Sequence, residues 1–392
     1  KMTNSKSIVF VNQSSGYLMI DIINAHAPYY DELVLLTGFF NPRGTPLSPK
    51  VKIKYLKSYK RSGNLVKFYS WFVFHLQSLF YIFFKYRKSK LYLVSNPPIN
   101  IFTFAITKRE YVYLIYDMYP QVLVKNNLIS TSSWLYNYWI YLNKKMFDNA
   151  KHVFTLSDGM KENLKYISRP EEVKVVPVWT NTTFFNDIPK AENIFLKTNH
   201  LEGKFIVGYS GNLGKTHPVE KIIEIAEYLK NTQDIQFLII GDGEKKLMLE
   251  KIQAQKKLPN LKILDFQATK LFPHVLAAMD IGVVTLEINA TDLSVPSKTF
   301  DLMSAGKPIL SIASNNSELA AIIATNHIGQ NFDENASIEQ MAAYILKLKS
   351  NLDLYEEISE NSKRNSLKYT QENAKQMVLR LLPTKSVINK IL

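Results

Sequence analysis

The feature that most constrains this chain is an alternation. Short apolar runs rich in Val, Ile and Leu are each followed by a loop of small residues and then by helical periodicity, in two successive series. Ser7–Val11 leads through Asn12-Gln13-Ser14-Ser15-Gly16 into an apolar helical pattern, and runs at 33–36, 51–55, 91–95, 111–116 and 152–156 continue the series. Residues 176–181 read as a hinge. Runs at 205–209, 235–240, 261–264, 281–285 and 309–312 then form the second series, and helical periodicity dominates from Ser337. Continuous apolar strands separated by helices predict parallel sheets buried on both faces. The fold class is therefore α/β, with two Rossmann-like units of similar size spanning 1–180 and 181–370, then a helical segment at 371–392. Ligands are expected beyond the carboxyl ends of the strands. Two such units facing across a cleft suit a reaction between two separately held substrates.

Three loops of the second series follow strands and so share one sheet edge. In the first, Ser210, Gly211, Asn212 and Lys215 offer backbone N–H groups and one ammonium. In the second, Gly241, Gly243 and Glu244 form a tight turn on which a flat base can lie. The third is Ser294-Val295-Pro296-Ser297-Lys298-Thr299-Phe300-Asp301, ending in Gly306-Lys307-Pro308. Its punctuation predicts a short helix, with Pro296 at the first helical position, Gly306 past the end and Pro308 barring continuation. Ser297 and Asp301 then share a face with Lys298 beside them, which makes a diphosphate site with a carboxylate in reach of a ribose or sugar hydroxyl. The same residues also suit one more capped surface helix. Neither glycine loop has the G-x-G-x-x-G or G-x-x-x-x-G-K-[ST] spacing, which argues against dinucleotide and P-loop chemistry.

In the first unit, Asp117 follows a strand and stands where a carboxylate can orient an acceptor hydroxyl or take its proton, or simply cap a turn before Pro120. Ser15, Gly16 and Asn96 sit in loops at the same edge and are assigned to the acceptor side. No cluster of His, Asp and Glu has metal-ligand spacing, so no metal is expected. With no cysteine in 392 residues, thiolate chemistry is excluded. The opening segment, residues 1–6, lacks the regions of a signal peptide, which together with the missing cysteines predicts a cytoplasmic protein.

Charge is unevenly placed. Residues 1–190 hold 25 Lys and Arg against 11 Asp and Glu, an excess equal to the net charge of +14, while the remaining 23 and 23 cancel. Such asymmetry points to an anionic partner for the first half, a membrane surface or a nucleic acid. Residues 65–84 are the most apolar stretch, interrupted by Lys67, His75 and Gln77 and flanked by Lys57, Lys60, Arg61, Lys85, Arg87, Lys88 and Lys90. That pattern fits an interfacial helix on anionic lipid; a buried helix between sheet and neighbour is the competing reading. The aromatics are contiguous, not interleaved along a groove, so nucleic acid is not expected.

The motifs Gly208-Tyr209-Ser210-Gly211-Asn212-Leu213-Gly214-Lys215, Ile240-Gly241-Asp242-Gly243-Glu244 and Ser294–Lys298 with Ala305–Pro308 resemble the group 1 (family 4) glycosyltransferases of GT-B fold. Within that family the likeness is to bacterial O-antigen and capsule enzymes of N-acetylfucosaminyl-transferase type. Val94-Ser95-Asn96-Pro97-Pro98, Asp117-Met118-Tyr119-Pro120 and Pro177-Val178-Trp179-Thr180-Asn181 extend it into the first half. The resemblance implies retaining transfer from a nucleotide-diphosphate sugar without a metal, a donor site in the C-terminal domain, and a last helix crossing back onto the N-terminal one. By position, Lys298 and Lys215 neutralise the diphosphate and Asp301 stands where many members place a ribose-binding Glu. Departures exist. Leu293 and Asp301 occupy the places of a common Glu pair, leaving Asp292 or Glu287 as substitutes; Asn212 replaces a frequent Arg, and Tyr116 a frequent His.

The function expected is transfer from an NDP-sugar, UDP favoured over GDP, to a polyprenyl-diphosphate-linked glycan at the inner face of the membrane. A nucleotide-sugar 2-epimerase of the same fold and a non-catalytic nucleotide-sugar or nucleic-acid binding protein are the alternatives.

Overall fold

The computed structural model describes residues 6–60, 63–105, 107, 109–125, 127–166, 169–185, 187–214, 217–286, 296–333 and 335–381. The chain forms two compact units, residues 1–178 with 371–392, and residues 179–370.

The first unit is built on a seven-stranded parallel sheet. Its strands are β1 (Ser7–Val11), β2 (Glu32–Thr37), β3 (Val51–Tyr55), β4 (Lys90–Val94), β5 (Tyr111–Ile115), β6 (His152–Thr155) and β7 (Lys174–Val175), in the order 3-2-1-4-5-6-7. Beyond first residues such as Ser7 and Lys90, the central strands are buried almost throughout, which is why they read as apolar runs. Helix α1 (Tyr17–His26) follows β1, with Gly16 as its N-cap. Helix α2 (Asn64–Phe80), continued by one π turn at Tyr81–Lys85, joins β3 to β4. Helices α3 (Ile101–Phe104) and α4 (Trp134–Asn149) lie in the next two crossovers. Right-handed crossovers place α2, α3 and α4 on one face of the sheet and α1 on the other. On that other face the helix Glu372–Leu379 packs against α1, and Tyr92 Oη donates to Met377 Sδ at 2.8 Å.

The second unit repeats the plan with six parallel strands: β8 (Phe205–Asn212), β9 (Ile235–Asp242), β10 (Leu261–Leu264), β11 (Ile281–Thr285), β12 (Ile309–Ile312) and β13 (Gly329–Phe332). Their order, 10-9-8-11-12-13, again reverses direction beside the first strand. Helix α5 (Glu220–Tyr228) follows β8, and α6 (Lys298–Ser304) lies between β11 and β12.

The two parallel sheets are those the alternation predicts. Two strands of these sheets were not anticipated, nor was the separate short pair Ser14–Ser15 and Phe39–Phe40. Lys174–Val175 is only two residues long, and Gly329–Phe332 reads Gly-Gln-Asn-Phe, too polar to stand out as an apolar run.

Candidate functional site

The order reversal in the second unit lies between β8 and β11, and open α/β sheets form their ligand crevice at the carboxyl ends of the strands beside such a reversal. Two backbones meet there. Gly211 and Gly241 are register partners, and a Cβ on Gly241 would lie 1.9 Å from the Gly211 carbonyl oxygen. Any side chain at Gly241 would therefore push the loop out of the crevice. The Tyr209 hydroxyl donates to the Asn212 carbonyl at 2.6 Å and closes the turn.

Helix α6 delivers Lys298 into this crevice. Its start differs from the expectation: Lys298 is the first helical residue and Ser297 the N-cap, while Pro296 lies outside and accepts from the Thr299 N–H at 3.0 Å. Its end is as read. Gly306 is left-handed at φ 65°, its N–H bonds the Met303 carbonyl at 2.9 Å, and the Lys307 N–H bonds the Leu302 carbonyl at 3.0 Å, the two bonds of a Schellman cap. With only seven residues, the helix contributes little dipole. The charge comes from Lys298.

The Lys298 ammonium lies 3.6 Å from the centre of the Tyr209 ring, and its Nζ is buried with no hydrogen-bond partner among the described residues. Gly211 makes this possible, since a Cβ there would stand 2.5 Å from Nζ. Burial pulls the amine down to about 7, opposed by the Asp301 charge. Asp301 itself is buried and accepts from Thr180 Oγ1 at 2.6 Å, while the Thr180 N–H donates to the Tyr369 carbonyl at 3.0 Å. In this state its carboxylate ties α6 to the segment entering the unit.

His217 completes the crevice. Its Nδ1 lies 2.8 Å from the Thr285 carbonyl oxygen, so a bond from the loop after β8 reaches the end of β11. A carbonyl only accepts, so Nδ1 carries the proton and Nε2 is the free face of the neutral ring. Burial, with the nearby Lys298 charge, lowers its pKa to about 4. Lys245, held at 2.9 Å from Glu220, also donates to the His217 carbonyl at 2.8 Å and fixes this loop from below.

Residues 190–365 match the family described as glycosyl transferases, group 1. That span lies inside the second unit. It is a group 1 glycosyltransferase domain.

Relatives and solved structures agree. The chain is 25% identical over 246 residues to a probable glycosyltransferase, WbjE, of Pseudomonas aeruginosa, covering 62% of this chain and 61% of that protein. It is 30% identical over 183 residues to a putative colanic acid biosynthesis glycosyl transferase, WcaI, of Escherichia coli K12, covering 45% and 44%. The matched stretch thus spans under two thirds of each relative. Among solved structures, sucrose-phosphate synthase from Thermosynechococcus elongatus superposes with TM-score 0.74 at 13% identity, over 96% of this chain and 98% of that one. Anabaena HepE in complex with UDP gives 0.70 at 15%, over 96% and 99%. WaaG, a glycosyltransferase involved in lipopolysaccharide biosynthesis, gives 0.68 at 15%, over 94% and 99%. The fold is that of the GT-B glycosyltransferases.

Of the donor-side residues expected in the glycosyltransferase domain, Ser210, Gly211 and Asn212 end β8, Gly241 and Gly243 flank the end of β9, and Glu244 follows on the surface. Ser297 is exposed at the N-cap of α6. Lys215, Ser294, Glu287 and Asp292 lie outside the described residues. Sequence reasoning missed Tyr209, His217, Thr285 and Thr180. His217 stands two residues past Lys215 in a loop already singled out, and an imidazole there was the available signal.

In the first unit the equivalent reversal lies between β1 and β4, closed by the Gln13 N–H donating to the Asn96 carbonyl at 3.0 Å. The Ser15 hydroxyl is buried, accepts from Thr37 Oγ1 at 3.0 Å and donates to the Asn12 carbonyl at 3.3 Å, so it holds the loop. Gly16 caps α1. Asp117 follows β5, and the N–H groups of Tyr116 and Asp117 both donate to Ser95 Oγ, at 2.9 and 3.1 Å. Its carboxyl reaches solvent, yet the protein packed around it raises its pKa while the Lys67 charge lowers it. Among the described residues, no group of three or more His, Cys, Asp and Glu could hold a metal ion.

Proposed function

We propose that the chain transfers a sugar, with retention and without a metal, from an NDP-sugar, UDP favoured, to a polyprenyl-diphosphate-linked glycan in bacterial surface polysaccharide synthesis. The carrying observation is Lys298, a buried ammonium with no acceptor among the described residues, at the strand ends where the order reverses between β8 and β11. A donor diphosphate supplies the missing acceptor oxygens, and Lys298 stabilises the charge that grows on the leaving diphosphate as the glycosidic bond breaks. Lys215 adds a second cation by family resemblance. Asp117 takes the acceptor hydroxyl's proton or orients it. The names of the relatives support the polysaccharide setting, HepE in complex with UDP supports the base, and the basic first half supports an acceptor at the inner membrane face.

The test is a thermal-shift panel of UDP, GDP, CMP and NAD on wild type and Lys298→Ala. UDP is expected to stabilise wild type by about 3 kcal/mol at a hundredfold excess over Kd, with no effect on the variant. An equal response in the variant, or none in wild type, ends this reading.

A further inference from the structure

Helix α2 is apolar on both sides. One face, with Trp71 and Phe74, is buried against the first unit, and Ile82 in the π turn continues it. The opposite face is a row of Leu65, Tyr69, Phe72, Leu76, Phe80 and Phe84, spaced three or four apart and all exposed, Leu65 at 87% and Phe84 at 75%. A second row stands on α4, where Trp134, Tyr138 and Tyr141 are exposed at 76%, 46% and 49%. Nothing in the spacing along the chain links the two rows. Both helices lie on the same face of the sheet and are joined by a chain of rings: Trp71 to Tyr119 at 6.0 Å, and Tyr119 to Trp139 at 6.3 Å. Their outward rows therefore project the same way. An apolar surface of this size on a monomer marks an interaction site.

Its chemical setting selects the partner. Lys85, Arg87 and Lys88 follow the first row and Lys144 and Lys145 follow the second; all five are exposed, and none has a carboxylate partner among the described residues. Residues 50–150 contain 16 Lys and Arg and only three acidic residues, Glu110, Asp117 and Asp148. A second copy of the chain would bring two such basic rims together, which is repulsive. No helix among the described residues is long and apolar enough to cross a membrane. We propose that α2 and α4 together form an in-plane docking surface for an anionic lipid bilayer, with the aromatic rows among the acyl chains and the five cations at the headgroups. This inference deepens the membrane part of the proposed function and is independent of the donor site.

Trp134 supplies the readout, because the other three tryptophans, Trp71, Trp139 and Trp179, are buried. The full chain is mixed with phosphatidylcholine vesicles, with or without about a third phosphatidylglycerol. Flotation with the anionic vesicles and a blue shift of tryptophan emission, absent in Trp134→Phe, are expected. Phe72→Ser/Phe80→Ser/Phe84→Ser should lower the affinity about tenfold or more, and Lys85→Ala/Arg87→Ala/Lys88→Ala about a hundredfold at low salt. Both should keep the wild-type UDP shift. Unchanged flotation of the Phe variant, or no emission shift on vesicles, overturns the proposal. So does light scattering that shows a dimer dispersed by the Phe substitutions, which would assign the face to a second copy. Vesicle binding without any UDP shift would leave this inference standing and remove the donor reading.

Discussion

The Lys298 ammonium sits 3.6 Å over the Tyr209 ring, and no hydrogen-bond acceptor among the described residues reaches its Nζ. A cation–π contact contributes roughly 0.5–2 kcal/mol, less than the several kcal/mol that desolvating an ammonium costs. The deficit appears as the amine's descent to about 7.

The deficit gives Lys298→Met two opposite effects. In the unfolded chain the lysine keeps its ordinary value of 10.5, so between about 7 and 10.5 the unfolded state holds the extra proton. Stability therefore rises with pH through that window and is lowest below it. The neutral variant should be more stable than wild type at pH 7 by roughly 2 kcal/mol in urea denaturation, with UDP binding lost. A variant that is less stable would show that Lys298 is satisfied in the fold.

Donor binding should take up a proton. Above pH 7 the free amine is mostly neutral, and a bound diphosphate requires it charged. Calorimetry at pH 8 in two buffers of different ionisation enthalpy should show uptake approaching one proton per UDP, absent in Lys298→Ala. Zero uptake in wild type would place the diphosphate away from this residue.

Asp301 and Thr180 are expected to act on stability. Removing either breaks a buried hydrogen bond to a charged group, at about 1–3 kcal/mol. A double-mutant cycle of Thr180→Val and Asp301→Asn should return a coupling of at least about 1 kcal/mol. If Asp301→Asn instead weakens UDP without changing the unfolding midpoint, its carboxylate turns to the donor when substrate binds.

Gly241→Ala tests the backbone contact. Its Cβ would lie 1.9 Å from a carbonyl oxygen that cannot rotate away, so the variant should lose about 3 kcal/mol or more, or fail to fold. Gly16→Ala, whose Cβ would meet nothing within 4 Å, is the control and should stay within about 1 kcal/mol of wild type.

Acid should destabilise the first unit through His26. The ring is buried beside Phe10 and Tyr92, with Nδ1 donating to the Ile22 carbonyl at 2.7 Å, and burial lowers its pKa to about 4. The unfolded ring keeps its ordinary 6.5, so its contribution is present above that pH and lost as pH falls towards 4, about 3 kcal/mol in all. His26→Gln should flatten this part of the stability profile; an unchanged slope would assign it to other groups.

Eleven of the thirteen main strands could be read from the sequence because a parallel strand covered on both faces must be apolar along its whole length. The glycine loops and the Schellman stop after α6 were equally plain, since Gly306 and Pro308 act through local backbone geometry. Lys298 was legible as a cation at the start of a short helix. That its Nζ has no acceptor among the described residues was not, because Tyr209, Gly211 and His217 converge on it only when β8, β11 and α6 meet. The same limit explains Asp301, which by spacing faced a ribose and in the fold is held by Thr180, 121 positions away in sequence. It explains the docking rows too: periodicity marks residues 65–84 as apolar all round, but only packing decides which face of α2 the sheet covers and that α4 stands on the same side. The sequence by itself determined the strands, the turns and the sign of the charge, since each is set by neighbours along the chain. The tertiary structure alone decided which polar groups are left unsatisfied and which apolar faces stay uncovered, because both depend on contacts between residues far apart in sequence.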